Sequence, residues 1–386
     1  MIEIKNKEKC CGCTACYNIC PKNCITMEPD NEGFLYPIVD KTTCINCNLC
    51  EKVCPIKKCE EINTSKKPKA CVVQNTSLEI LKNSTSGGVI DALNKYVIDK
   101  NGFAVGVAYD DDFMPYHEIT DKYDNTIKFR GSKYAQSRLN NIFKNILELL
   151  NKGELVLFTG TPCQVSGLKS YIQKDYKNLI TVDLVCRSVP SPLLFKHYLN
   201  WQKKRYKSEI VSMNCRNKTY GYHNGSLVIN FKNGKKYSGS NRVDLFMKSF
   251  HNDICSRPSC YDCQFKTVNR VSDFTVFDCW KPNIVTNNAI NDNNKGYSNV
   301  FLHTSKAENI INQLQNIKIW PSNIDLVLEY TGNMESTSIK KNEKRDMFYN
   351  VLNKSDFETC IKQFIKISKK DYFIESLKPI LLKNKK

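Results

Sequence analysis

The chain has 386 residues, 20 cysteines and a formal charge of +18, from 57 basic and 39 acidic residues. At about 150 residues per domain there is room for two or three units, so the chain is too long for one small metal-binding module. No run of about 18 apolar residues occurs, which excludes a membrane-spanning helix. The lysines and arginines are spread along the chain without a nucleic-acid-binding motif, so the charge does not point to nucleic acid.

A repeated cysteine pattern comes first in chain order. Cys10-x2-Cys13-x2-Cys16-x3-Cys20-Pro21 recurs 34 residues later as Cys44-x2-Cys47-x2-Cys50-x3-Cys54-Pro55. Three thiolates two residues apart wrap three corners of a 4Fe-4S cubane within one loop, and the fourth reaches across to the other cubane. The expected ligand sets are therefore Cys10, Cys13, Cys16 and Cys54 for cluster I, and Cys44, Cys47, Cys50 and Cys20 for cluster II. Zinc knuckles and disulfide scaffolds use cysteines two by two and do not account for three equally spaced thiols followed by Cys-Pro. Cys11, Cys24 and Cys59 fall outside the pattern and read as small buried residues. The short, charged stretch from Met1 to Lys9 has no signal-peptide pattern, so a reducing, cytoplasmic setting is expected for these thiols. Each cubane with its four thiolates carries about −2, so two or three would remove roughly 4 to 6 positive charges. The remaining basic excess suits an acidic electron carrier, an anionic substrate or a nucleotide cofactor.

After this repeat, Asn31-Glu32-Gly33 predicts a turn before a strand at 34–39, and residues 61–70 have linker composition around Ser65-Lys66-Lys67-Pro68. Strands and helices then alternate. Apolar spacing predicts a helix at 89–97, stopped by Asn101-Gly102 before a strand at 103–109, and a second helix at 139–151. A strand at 154–158 turns through Thr159-Gly160-Thr161-Pro162-Cys163 into a helix at 165–173. Another, at 180–185, ends at Cys186 and leads through Pro190-Ser191-Pro192 into a helix at 193–206. Both βα turns carry a cysteine at the carboxyl end of a strand, where α/β folds bind ligands. A hairpin is predicted from 227–231 and 235–238 around Asn233-Gly234, a mobile surface loop in the Asn-rich stretch 283–294, and helices in the last 50 residues.

Three further groups carry chemistry. Ser84-Thr85-Ser86-Gly87-Gly88 stands directly before a helix and suits a phosphate at its N-terminus, or is an ordinary serine cap. Gly131-Ser132-Lys133-Tyr134-Ala135-Gln136-Ser137 offers a cation, an aromatic ring and an amide, suitable for a flavin, or is a plain polar loop. Cys260-x2-Cys263, with Cys163 and Cys186, makes a complete ligand set for a third 4Fe-4S cluster. In the alternative reading, Cys163 and Cys186 are small buried residues and Cys260 and Cys263 bind zinc or nothing. Cys71, Cys215, Cys255, Cys279 and Cys360 have no such pattern, although Cys215 or Cys255 would serve if a ligand of the third set were misassigned. His197, on a helix with apolar neighbours, reads as structural.

Taken with Gly160-Thr161-Pro162-Cys163-Gln164, Asp183-Leu184-Val185-Cys186, Val189-Pro190-Ser191-Pro192, Arg257-Pro258-Ser259-Cys260-Tyr261-x-Cys263 and Arg270-x-Ser272-Asp273, these motifs resemble the beta subunit family of coenzyme F420 hydrogenases and dehydrogenases. The resemblance spans nearly the whole chain and is strongest to bacterial members with two ferredoxin-type clusters fused ahead of the catalytic part. It implies an α+β ferredoxin-like domain with two 4Fe-4S clusters (1–60) fused to an α/β flavin-binding domain (71–335), with a helical segment at 336–386. It also implies FAD, a third cluster beside it and an electron path to the N-terminal pair. FAD would be held by Ser84, Ser86, Gly87 and Gly88 at the pyrophosphate, with Lys133, Tyr134, Gln136, Ser137 and Thr161 nearby. The expected function is an FAD and iron-sulfur oxidoreductase acting on an organic substrate or a deazaflavin-like cofactor. Ferredoxin or another redox protein is the expected partner, and an oligomer is compatible. Two other readings stand beside it: an accessory electron-transfer subunit, and an iron-sulfur carrier or sensor without flavin. The chain departs from its relatives at Arg187-Ser188, where His-Gly is usual, and at Asp278-Cys279-Trp280, where Asp-Phe-Trp is usual. The hydride partner and the catalytic acid stay unassigned.

Overall fold

The computed structural model describes residues 1–58, 67–331 and 334–382. Cys59 and residues 61–66 of the expected linker lie outside these. Three sheets organise the rest. A two-stranded antiparallel ribbon joins β1 (Ile25–Pro29) to β2 (Leu35–Val39) in the cysteine-rich part.

The central sheet has eight strands. They are β3 (Lys69–Asn75), β4 (Phe103–Tyr109), β5 (Pro115–Thr120), β6 (Val156–Gly160), β7 (Leu179–Leu184), and, after an intervening three-stranded sheet, β11 (Phe274–Asp278), β12 (Ser298–Leu302) and β13 (Ile317–Ser322). That smaller antiparallel sheet contains β8 (Ile210–Asn217), β9 (Ser226–Phe231) and β10 (Lys236–Ser240). The central order is β13-β3-β12-β11-β7-β6-β4-β5. Its four middle strands, β11, β7, β6 and β4, run parallel, and the outer pairings are antiparallel.

Strands in the middle of a parallel sheet are covered on both faces, which explains their apolar runs. Leu157, Ile180 and Val182 face the helices Val89–Ile98 and Ser305–Ile311. Val156, Phe158 and Leu179 face the helices Ile142–Asn151 and Pro162–Ile172. Neighbouring positions on one strand thus enter opposite cores, as the two-residue period of a strand requires. The predicted helices at 89–97, 139–151 and 193–206 appear at nearly those bounds. The helix expected from 165 starts earlier, at Pro162, because proline is favoured in a first turn and Thr161 with Gln164 forms a capping box.

The cysteine-rich segment is packed into the rest. Phe34 is fully buried among Leu194, Phe195, Phe246 and Phe348, which contributes roughly 1.5–3 kcal/mol. Glu32 receives both guanidinium nitrogens of the buried Arg345, and its carbonyl accepts from the Ser191 hydroxyl that caps the helix Pro192–Tyr206.

The Asn-rich stretch differs from expectation. Within 283–294, Val285 and Ile290 are buried in a cluster with Phe277 and Phe301, and the Asn293 amide donates to Gln74 at 3.0 Å. Two apolar anchors and amide pairing therefore hold a segment that composition alone marks as mobile.

His117 on β5 is buried, stacked on Phe158 at 5.5 Å, with Nε2 3.3 Å from the Thr159 carbonyl. Burial lowers its pKa to about 4. Its unfolded form binds a proton below about 6.5, so its contribution to stability is complete above that pH and is lost as the pH falls towards 4, by roughly 3 kcal/mol. His117→Gln should flatten this part of the stability-against-pH curve, measured by denaturant unfolding between pH 7 and 4.

Candidate iron-sulfur and cofactor site

The described cysteines are all free thiols; apart from Cys71, Cys215, Cys255, Cys279 and Cys360, which lie in the apolar cores, they gather in three places. One cavity is lined by Cys10, Cys13, Cys16 and Cys54, together with Cys11. Another is lined by Cys20, Cys44, Cys47 and Cys50, together with Cys24. Each cavity takes three thiols from one repeat and the fourth from the other.

Among the described residues no three metal-binding side chains converge on a point suited to one ion. The backbone N–H of Ile2 donates to Cys50 Sγ at 3.2 Å, the kind of bond that stabilises a ligating thiolate.

Two of the cysteines read as small buried residues have further contacts. Cys24 is buried, and its Sγ lies 3.3 Å from Cys20 Sγ. Cys11 is partly exposed toward the first cavity, and its thiol interacts with both Cys13 and Cys163, so it stands between the first thiol set and a third.

The third set forms at one edge of the central sheet. Cys163 lies in the first turn of the helix after β6, and Cys186 two residues beyond β7. Cys260 ends a short 3-10 turn, Pro258–Cys260, with Cys263 just after it. Burial raises the Cys186 pKa to about 12, assisted by the charges of Cys163 and Cys263. Burial also raises that of Cys260, and Cys186, Cys263 and Cys163 add to the effect. All four half-buried thiols thus sit within one another's field, and desolvation with mutual repulsion favours their neutral form.

The flanking motifs position these thiols. Arg270 pairs with the buried Asp183 of β7 at 3.3 Å, and Ser272 donates to the same carboxylate at 2.9 Å, tying the segment after Cys263 to the strand that presents Cys186. Arg257 N–H donates to the Val189 carbonyl, and Ser188 and Ser256 share a hydroxyl bond, which pins the Cys260 turn beside the Cys186 turn. Arg187, at the departure from the usual His, pairs with Asp253 at 2.6 Å and braces the same approach.

The expected flavin residues fall into two groups. The turn 84–88 lies against the same edge of the sheet. Ser86 shares a hydroxyl bond with Ser298, and Gly87 N–H donates to Ser298. A Cβ on Gly87 would lie 2.2 Å from the Val73 carbonyl, so packing against the sheet already requires glycine there. Gly88 caps the helix Val89–Ile98 with no side-chain hydrogen bond, and Thr85 links the turn to Ser132 at 2.9 Å.

Beyond Ser132, Lys133 is bonded to the Arg130 and Gly131 carbonyls and lies over the Tyr109 ring. Burial lowers its pKa to about 8. The Tyr134 hydroxyl meets Arg216 at 3.5 Å. Gln136, Ser137 and Thr161 belong to the thiol side instead: Gln136 bonds Arg257 and the Cys11 carbonyl, Ser137 accepts from Gln164, and Thr161 contacts Cys163. The loop therefore runs from the serine turn to the thiols.

Sequence reasoning did not find Lys218 or Arg216, which project from the β8 region. Lys218 Nζ donates to the Leu81, Ser86 and Lys295 carbonyls, and desolvation lowers its pKa to about 7. Arg216 stacks over Trp280 and pairs with Asp278 at 3.3 Å. Only the unusual Asp278-Cys279-Trp280 run hinted at this corner.

The fold and the thiols define an iron-sulfur redox protein with a ferredoxin-type N-terminal region and an α/β domain built on a large mixed sheet. Residues 9–58 match the 4Fe-4S dicluster domain. Residues 153–325 match the family formed by the C terminus of the coenzyme F420 hydrogenase/dehydrogenase beta subunit. Over residues 153–325 the chain thus carries the C-terminal domain of the coenzyme F420 hydrogenase/dehydrogenase beta subunit family, preceded by the dicluster domain. Among solved structures, a chain of the F420-reducing NiFe hydrogenase complex from Methanosarcina barkeri, studied by xenon derivatization, is similar at 17% identity. That match has a TM-score of 0.47 and covers 70% of this chain and 90% of that one. No curated protein matches.

Cys260→Ser is expected to remove about four irons per chain and spare the other two sets, whereas Cys24→Ser should leave iron content unchanged, because the second set is complete without it. Iron and acid-labile sulfide assays on anaerobically purified variants would check both.

Proposed function

We propose that this iron-sulfur redox protein is an FAD-dependent oxidoreductase with three 4Fe-4S clusters, acting on an organic substrate or a deazaflavin-like cofactor. The observation that carries the reading is the succession of thiol sets: Cys20, Cys44, Cys47 and Cys50, of which Cys47 is exposed, then Cys10, Cys13, Cys16 and Cys54, then the Cys163 set, reached through Cys11. The ligands proposed are those twelve cysteines, ending with Cys163, Cys186, Cys260 and Cys263.

Several features support FAD. The Val89–Ile98 helix has no side-chain cap behind the serine turn, Lys218, its pKa lowered to about 7, places its amino group against that turn, and the loop from Ser132 to Ser137 leads from there to the thiols. Ser84, Ser86, Gly87 and Gly88 would line the pyrophosphate, which would have to take the Ser86 hydroxyl and the Gly87 N–H from their present partner, Ser298. Lys133 and Tyr134 would flank the ring system, with Gln136, Ser137 and Thr161 toward the third thiol set. Bound there, FAD supplies conversion between two-electron organic chemistry and one-electron cluster chemistry.

The second reading is an accessory electron-transfer subunit with no substrate of its own, which the beta-subunit description of the family favours. In either case the surface cluster is the exchange point with a redox protein. Cys47 and Ile45 are exposed there, and Lys22 and Lys41 stand exposed beside them. Reduction by an acidic ferredoxin should therefore slow several-fold as salt rises from about 0.05 to 0.5 M, because exposed charges are screened. A salt-independent rate would remove that surface from consideration.

Iron, sulfide and flavin content per chain decide between the readings. About twelve irons and one FAD support the oxidoreductase. About eight irons without flavin, unchanged by reconstitution, would make the protein a carrier or sensor. Stable copurification of a partner with no turnover by the isolated chain would favour the accessory role.

A further inference from the structure

Arg257 lies at the junction of the first and third thiol sets. It is 1% exposed. Its Nε donates to the Cys10 carbonyl at 2.8 Å, and Nη2 donates to the Leu35 carbonyl at 2.9 Å and reaches Cys10 Sγ at 3.6 Å. Nη1 donates to Gln136 Oε1 at 2.9 Å. The guanidinium also stacks on Tyr36, 4.3 Å from the ring centre.

Room for this contact comes from Gly12, between the first two thiols of the repeat. Its φ is +70°, and a Cβ there would lie 2.5 Å from the Gln136 amide and 2.9 Å from Arg257 Nη1. Any larger residue would push the loop off the arginine.

Among the described residues no carboxylate pairs with Arg257. The acidic groups facing it are the thiols of Cys10, Cys11 and Cys260 and the Tyr36 phenol. A buried guanidinium without a counter-ion is costly, and the negative charge here can come from thiolates holding a cluster. Charge and N–H···S bonds near a cluster are among the levers that set its potential.

We propose that Arg257 is a positioning residue that holds the Cys10 loop on the third thiol set and raises the reduction potential of cluster I, favouring its reduced, more negative state. The proposal rests on the reading that the first thiol set binds a 4Fe-4S cluster. Cluster II serves as an internal reference, because none of Cys20, Cys44, Cys47 and Cys50 is a hydrogen-bond partner of Arg257 among the described residues.

The test is an anaerobic redox titration followed by electron paramagnetic resonance on the full chain, with iron and sulfide assayed in the same samples. Absence of iron from the wild type would defeat the underlying reading, separately from the proposal. In Arg257→Gln with iron retained, the reduced-to-oxidised ratio of cluster I at fixed potential should fall about tenfold, equivalent to 59 mV for one electron, with cluster II unchanged. Arg257→Lys, which keeps the charge, should restore most of that shift. Loss of cluster I in the Gln variant but not in the Lys variant would also support the proposal. A Gln variant that titrates like the wild type, an equal shift in both variants or loss of cluster I in both would overturn it, the last two because shape rather than charge would then matter.

Discussion

Four parallel strands, β4, β6, β7 and β11, pair side by side in the middle of the central sheet, so their carboxyl-terminal ends leave it along one edge. The third thiol set and the serine turn are reached from that edge. Cys163 follows β6, Cys186 follows β7, and Asp278 closes β11 beside Arg216 and Trp280. The serine turn meets the same edge through Ser298, at the start of the antiparallel β12. A one-residue shift in any middle pairing would send the side chains of one core into the other and move these end groups with them.

Buried charges keep that edge in register. Asp183 and Arg270 form a pair almost wholly removed from water, and Ser272 gives the carboxylate a further donor. Such a pair adds little net stability over an apolar substitute, but removing one partner strands the other, at roughly 3–5 kcal/mol. Its value is positional, since it joins the strand leading to Cys186 to the segment following Cys263.

The N-terminal repeat was legible because cubane ligation imposes a spacing that few other structures share, and the cavities repeat the crossed arrangement that the spacing implies. The strands β6 and β7 were legible as apolar runs ending in cysteines. The strands β3, β11 and β12 were not, since Cys71-Val72-Val73, Val276-Phe277 and Val300-Phe301-Leu302 are apolar runs too short to separate strand from helix by period. Lys218 was invisible for another reason: its three carbonyl partners come from residues 81, 86 and 295, which only the folded chain brings together. For Cys11, local pattern argued against a role because the neighbour that matters, Cys163, lies on a distant helix. Composition misread the Asn-rich stretch because it weighs the amides and overlooks Val285 and Ile290.

The ribbon between the two cysteine repeats delivers Phe34 and Tyr36 into the same core as the helix Pro192–Tyr206 and the helices Arg345–Leu352 and Phe357–Phe364. Glu32, one residue before the turn glycine, is held there by Arg345. The iron-binding part is thus not an interchangeable cassette. Grafting a ferredoxin from elsewhere onto residue 67 would supply thiols while leaving a hole where two aromatic rings and a carboxylate had been, so the electron relay and the C-terminal helices have to evolve as one piece.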